Sequence, residues 1–284
     1  MIKELLEVKG LTRRFGKKTA VAGIDFTLSE GEFVGLLGPN GAGKTTTIRM
    51  LTGLYRPTSG IIRYYGKDFL ENQKEIKGYI GVVHQYSNLD RDLTAYENLN
   101  LHCILHGIPS SLRKQKIEEA LEFSGLTEYR NRQVKTFSGG MKRRLVIVRA
   151  LLHDPKILFL DEPTVGLDPQ IRRSLWDLIV RINQLKKMSI LLTSHYIEEA
   201  ERLCERVMII NEGRIIADDS PEALKKDLGR YVLEVFHEEG IEERIFNSKE
   251  DALEVLRTCE ETCKVREVTL EDVFLNLTGR RIDV

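Results

Sequence analysis

The chain has 284 residues, enough to bury a sizeable core as one large domain or two small ones. Basic and acidic residues number 43 each, so no net positive field draws it to nucleic acid, and no nucleic-acid partner is expected. Cys103, Cys204, Cys259 and Cys263 are too dispersed for a disulfide framework and fit a reducing compartment. Cys259 and Cys263 lack the second pair a zinc site needs and read as helix packing. No run reaches the roughly 20 apolar residues that span a bilayer, and the acidic start at Glu4 and Glu7 is unlike a signal segment. A soluble, intracellular chain is expected, one that meets a membrane only through a partner.

Residues 5–30 read as short antiparallel strands punctuated by Gly10, Gly16 and Gly23. Within them Phe15, followed by Gly16-Lys17-Lys18, is a candidate platform for a purine ring, and a core position explains it equally well. Residues 32–37 are an apolar strand, and residues 44–54 have helical apolar spacing. Between them stands Gly38-Pro39-Asn40-Gly41-Ala42-Gly43-Lys44-Thr45-Thr46, which fits G-x-x-x-x-G-K-[ST]. In that pattern backbone N–H groups surround the oxygens of a nucleoside triphosphate, Lys44 adds charge and the Thr45 hydroxyl reaches Mg²⁺. Strand, loop and helix together make the match specific.

A turn at 58–60, a strand at 61–65 and a second turn at 66–68 lead to the β-branched run 78–83. That run reads as a buried strand ending at His84-Gln85. Gln85 would lie beyond the carboxyl end of a parallel strand, where ligands of such sheets bind. From about 93 to 155 the texture is helical, without a strand of the main sheet. Thr94 and Glu97 form a capping box, and Ile117, Ala120, Leu121 and Ser124 share a helix face that Gly125 closes. Next, Phe137-Ser138-Gly139-Gly140-Met141 precedes a helix over 142–153. Small residues there leave N–H groups at the positive end of a helix dipole, a second place for phosphate, although an ordinary Ser N-cap accounts for the pattern as well.

Four apolar residues at 157–160 imply a strand covered on both faces, with Asp161 and Glu162 arriving at its carboxyl end. Adjacent carboxylates at a buried strand end are costly unless a cation such as Mg²⁺ is present. Asp168 and Pro169 open a helix to about 185, and the buried strand 189–193 ends at Ser194-His195, again at a carboxyl end. Residues 206–217 read as a hairpin, and Ser220-Pro221 opens a helix that Gly229 closes. Beyond it come a strand at 231–237, a short helix from Ser248, a strand at 265–268 and a helix from Thr269 to Gly279. About 55 residues is small for an independent unit, so a docked α+β appendage is expected.

In this order and approximate spacing the motifs resemble the ATP-binding subunit of ABC transporters, over roughly residues 5–229. The phosphate loop is similar to Walker A, residues 157–162 to Walker B, and Phe137 to Met141 to the signature motif. Gln85 resembles the Q-loop glutamine, Gly166-Leu167-Asp168 the D-loop, His195 the switch histidine and Phe15 the A-loop aromatic. The resemblance implies an α/β P-loop NTPase core, a RecA-like mixed sheet flanked by helices. It also implies an antiparallel β subdomain; with the helical subdomain inserted at about 93–155 and the α+β accessory region read above, the chain is expected to divide into an ATPase domain over 1–229 and an accessory region over 230–284. Phe15, residues 38–46, Gln85, Ser138, Gly139 and Gly140 would bind ATP, and Thr45, Gln85 and Asp161 would hold Mg²⁺. Glu162 would act on the attacking water, His195 would orient the γ-phosphate, and Lys44 and Gln85 would complete the catalytic group. Ser138, Gly139 and Gly140 would reach the ATP of a second copy, making a head-to-tail homodimer.

More narrowly, Met141-Lys142-Arg143-Arg144-Leu145 and Val268-Thr269-Leu270-Glu271-Asp272-Val273-Phe274 resemble the branch that serves ABC-2-type drug and sodium exporters. That branch implies a separate transmembrane permease and a place on the inner face of the cell membrane. His84 stands where proline is common, Phe15 where tyrosine is, and Phe137 where leucine is. Two alternatives remain: a soluble ABC-type ATPase of translation or repair, and a nucleotide-gated adaptor. One phosphate loop and no sustained heptads count against the first, and the presence of both Glu162 and His195 against the second. No Asn-Lys-x-Asp segment points to guanine.

Overall fold

The computed structural model describes residues 3–85, 88–238, 240–259 and 261–279. The chain opens with two long antiparallel strands, β1 (Glu4–Phe15) and β2 (Lys18–Ser29). It then enters β3 (Phe33–Leu37), whose five residues are all buried, and passes through the glycine-rich loop into α1 (Lys44–Leu51). Strand β4 (Ser59–Tyr64) and the short β5 (Lys67–Asp68) return to the first pair, completing an antiparallel sheet in the order β2-β1-β4-β5. Ser59 and Gly60, expected in a turn, already belong to β4: Ser59 pairs with Thr12 of β1, and a Cβ on Gly60 would lie 2.5 Å from the Gly10 carbonyl oxygen, so glycine permits the close approach.

After α2 (Gln73–Lys77) the chain re-enters the main sheet as β6 (Ile80–Val83). Among its described residues the next stretch holds no main-sheet strand: α3 (Ala95–Leu105), α4 (Ser110–Ser124), two 3₁₀ turns and α5 (Gly139–Arg149). Thr94 and Glu97 form the expected capping box, and Ile117, Leu121 and Ser124 are the buried face of α4. Then follow β7 (Ile157–Asp161), α6 (Pro169–Lys186), β8 (Ser189–Ser194), α7 (Ile197–Leu203), β9 (Arg206–Asn211) and β10 (Arg214–Asp219). The sheet order is β10-β9-β3-β8-β7-β6, parallel throughout except for β10.

Period-two geometry explains why these strands read as continuous apolar runs. On one face Phe33, Leu37, Leu158, Leu160, Ile190, Leu192, Val207 and Ile209 join a core shared with α3–α7. On the other, Val34, Leu36, Ile157, Phe159, Leu191, Met208 and Ile210 join a second core with α1 and the antiparallel sheet. Both faces are covered, so neither can be polar.

Past α8 (Pro221–Leu228) lies a small antiparallel sheet, β12-β11-β13, built from β11 (Tyr231–His237), β12 (Gly240–Phe246) and β13 (Thr262–Glu267). Helix α9 (Lys249–Thr258) packs on it, and α10 (Leu270–Thr278) packs against α7 and α8, burying Leu270, Val273 and Phe274 in the first core. Cys259 and Cys263 are joined in a disulfide, which corrects the expectation of unpaired thiols in a helix. Helix α9 ends at Thr258 and Cys263 lies in β13, so the four-residue spacing joins the end of a helix to a strand rather than running along one helix face. Cys103 and Cys204 are buried and free.

Candidate active site

Parallel register brings the motif residues together. Leu37 pairs with Ser194, Asp161 with Thr193 and Val83 with Leu160, so β3, β6, β7 and β8 end at one level and their following loops meet there. A cavity of about 370 Å³ opens at this edge, lined by Phe15, Lys18, Ala20, Asn40, Gly41, Gly43, Lys44, Thr45, Thr46, Gln85 and Glu162. A larger hollow of about 860 Å³ lies at the amino ends of β3, β7 and β8, the wrong end of a parallel sheet for a ligand.

The loop that frames the cavity is tightly constrained. A Cβ on Gly38 would lie 2.3 Å from the Ile210 carbonyl oxygen, and Gly43 has φ of 115° with Ala20 oxygen 2.6 Å from any Cβ. Only glycine satisfies both. The β9–β10 turn braces the loop from behind, with Gly213 N donating to Ala42 O at 2.9 Å and Ala22 N to Gly213 O at 2.8 Å. No side chain caps the start of α1 and no acid occupies its first turn, so its leading N–H groups and positive dipole end are free for an anion.

Lys44 is only 4% exposed. Its ammonium donates to Gly38 O at 2.8 Å and Pro39 O at 3.2 Å and lies 3.4 Å from the Glu162 carboxylate. Burial lowers its pKa, and Glu162 partly opposes that. Glu162 receives two more neighbours: Gln85 Nε2 donates at 3.3 Å and His195 Nδ1 stands 3.5 Å away. His195, then Lys44, hold the Glu162 carboxyl below the ordinary glutamate range despite burial. At 3.5 Å the His195 contact is too long to count as a hydrogen bond, so its buried Nδ1 is left unpartnered and available to a ligand. Glu162 itself sits at φ of 47°, a left-handed conformation that is uncommon for a non-glycine residue and that accompanies functional sites.

Thr45 Oγ1 donates to Asp161 Oδ1 at 3.0 Å, and Thr193 Oγ1 donates to the same oxygen at 2.8 Å. A hydroxyl and a carboxylate side by side are the hard oxygen donors that Mg²⁺ prefers. Phe15 is 41% exposed at the cavity mouth, with the Arg13 guanidinium 4.6 Å over its ring and Tyr55 edge-on at 5.5 Å. It is a surface residue at the cavity, not a core residue.

Three of the expected residues lie elsewhere. Ser138 and Gly139 are exposed and do not line the cavity, and Gly140 is buried against α6, where a Cβ would meet Ile171 at 2.5 Å. Ser138 caps α5 by accepting from Met141 N at 3.2 Å, so the cap reading holds within one chain.

Sequence reasoning missed three supports. The buried Arg143 guanidinium donates to the carbonyl oxygens of His84, Gln85, Asp161, Glu162 and Pro163, tying the ends of β6 and β7 to the helix behind Ser138. Burial pulls its pKa down to about 10. Glu199, wholly buried on α7, accepts from Thr164 at 3.0 Å, Trp176 at 2.9 Å and Ser194 at 2.6 Å, and burial raises its pKa. Thr193 additionally accepts from Glu162 N at 3.1 Å. A signal existed for the first two: Arg143 falls on the face shared by Gly140 and Ile147, and Glu199 on that of Leu203, charges at apolar helical spacing.

The geometry meets its relatives at this point. Residues 21–165 match the model of the ABC transporter family. The chain is 38% identical over 305 residues to "Nod factor export ATP-binding protein I" of Ralstonia nicotianae, covering 98% of this chain and 95% of that one. The chain belongs to the ABC transporter ATP-binding family. Among solved structures, cbiO1 from Clostridium perfringens, described as part of the ABC transporter complex cbiONQ, superposes with a TM-score of 0.73 at 27% identity, over 78% of this chain and 90% of that one. The ATP-binding cassette MJ0796, solved as a dimer in a post-hydrolysis state bound to ADP and Pi, gives 0.68 at 27% identity, over 76% and 98%. As an ABC ATPase subunit the chain binds and hydrolyses ATP for a transporter and works with a membrane-spanning permease. No helix among the described residues is long and apolar enough to cross a membrane itself.

Proposed function

We propose that this chain is the motor of an exporter, hydrolysing MgATP as a homodimer and driving a separate ABC-2-type permease that holds it at the inner face of the membrane. One observation carries the catalytic part: Lys44, Gln85 and His195 all stand within 3.5 Å of the Glu162 carboxylate. The export reading is supported by relatives named for export that match nearly the full chain, and by the Met141 to Leu145 sequence after the signature.

The loop amides and Lys44 bind and neutralise the phosphates, and Phe15 stacks on the base. Thr45, Asp161 and Gln85 would hold Mg²⁺, which when bound neutralises charge developing on the phosphate oxygens. Glu162, ionised at neutral pH, accepts a proton from or polarises the attacking water, while His195 and Gln85 orient it and the terminal phosphate. Ser138 and Gly139 face outward from their own site, as residues that serve the ATP of a second copy would. ATP then bridges the dimer, and its hydrolysis removes the bridge that the permease senses.

Glu162→Gln should cut turnover by roughly 10²- to 10⁴-fold while ATP still binds, and should accumulate an ATP-dependent dimer on size exclusion. Adding Ser138→Arg should dissolve that dimer without loss of nucleotide binding, read by a fluorescent ATP analogue. A Glu162→Gln chain that hydrolyses normally, or a Ser138→Arg chain that still dimerises and turns over, refutes the scheme. Failure of the tagged chain to co-purify with any polytopic membrane protein refutes the transporter part alone.

A further inference from the structure

Three of the six histidines gather outside the lining of the nucleotide cavity. His102 and His106 are one turn apart at the end of α3, and His153 lies in the turn between α5 and β7. Their ring centroids are 4.3 Å (His102 and His106), 4.0 Å (His106 and His153) and 5.7 Å (His102 and His153) apart. One nitrogen from each ring falls within 4.8 Å of the others. Neutral imidazoles have little reason to crowd this way for packing alone, since each must shed water from two polar nitrogens.

The hydrogen bonding is what distinguishes the cluster from packing. His153 Nε2 contacts the Ile80 carbonyl oxygen at 3.0 Å, which makes that nitrogen the N–H donor and leaves Nδ1 with a lone pair. That buried Nδ1 has no partner, and neither does the buried Nε2 of His102. A ring nitrogen donating to a backbone carbonyl while the other keeps a free lone pair is how proteins orient metal-bound histidines. His106 is exposed and gives the site access to solvent. Burial keeps His102 and His153 neutral at pH 7, with pKa values of about 3 and about 4. Arg149 adds positive charge beside His102, which weakens any cation site, and Asp154 adds the opposite charge beside His153.

We propose that His102, His106 and His153 bind one Zn²⁺ or a neighbouring late first-row dication, with a fourth position open to water. Imidazole donors suit this class rather than Mg²⁺ or Ca²⁺. Bonds of about 2.0–2.1 Å in a tetrahedron place ligand nitrogens about 3.3 Å apart, within reach of side-chain rotation from the present triangle. The ion would staple α3 of the helical insert to the turn entering β7 and, through Ile80, to β6, whose following loop carries Gln85.

The test uses the full, tag-free chain without nucleotide or Mg²⁺, with Cys259→Ser and Cys263→Ser so that reduction of their disulfide cannot release competing thiolates. Equilibrium dialysis against Zn²⁺ should give one ion per chain, and Co²⁺ should show the absorption of a tetrahedral nitrogen-ligated site. His106→Ala, at an exposed position that should fold normally, should weaken binding by at least the roughly 10- to 100-fold that loss of a supporting partner costs a metal site. His153→Gln should do the same. His237→Ala is the control, because His237 lies between Glu242 and Glu261 and is the rival candidate. Stoichiometry well below one, affinity unchanged in His106→Ala, or loss confined to His237→Ala would each overturn the assignment.

Discussion

The carboxyl edge of the six-stranded sheet and the three-stranded sheet after Gly229 are organised by opposite means. At the edge, buried polar groups from distant segments meet on one carboxylate, and Arg143 clamps five carbonyls around it. In the small sheet the polar hub is local and partly wet: Arg266 pairs with Asp272 at 2.6 and 2.8 Å and reaches Glu234 and Glu243. On the proposed function, catalysis would dictate residue types at the edge. In the small sheet the contacts seen are packing and surface pairing.

The largest expected effect tests the clamp. Arg143→Lys keeps the charge but not the fork that spans five acceptors. Unfolding free energy should drop by about 3 kcal/mol, measured by urea denaturation. Turnover should fall by about 100-fold through displaced Gln85 and Glu162 while nucleotide still binds. Normal turnover in a destabilised chain would make Arg143 merely structural and erase half of the contrast.

Asp272→Asn should act on the other region alone. Burial opposes ionisation of Asp272, but Arg266 and the capping Thr269 more than offset it and hold its pKa below the ordinary aspartate value. The stability this lends is present above that ordinary value and is lost as pH falls through the lowered one. The variant should cost about 1.5–3 kcal/mol of protection at α10 by hydrogen exchange, abolish the acid-dependent part of that protection, and leave ATPase activity unchanged. Altered turnover would show that the appendage reports to the site.

The smallest effect sharpens the boundary. Ser248 caps α9 by accepting from Asp251 N at 3.1 Å, and Ser248→Ala should loosen that helix by about 1 kcal/mol. Exchange elsewhere should not change. Spread of the loss into α10 would mean the two helices unfold as one unit.

Legibility followed the same division. The phosphate loop, Gln85, Glu162 and His195 were readable because each sits at the end of an apolar run that only a doubly covered strand explains. Strand β12 was not: Ile241 and Ile245 are exposed beside charged neighbours, so no buried alternation announces it. Helices α2 and α7 were too short to establish a period.

The amino-acid sequence by itself determined that this chain cradles a nucleotide triphosphate, because glycines without Cβ room, one lysine and paired acids are needed wherever that chemistry occurs. Only the tertiary structure decided what holds the acids still. Arg143, Thr193 and Glu199 act through backbone carbonyls and buried hydroxyls brought from other strands and helices. The gathering of His102, His106 and His153 was equally hidden. It depends on how α3 packs beside the turn after α5, a distance of about fifty residues along the chain that no local pattern encodes.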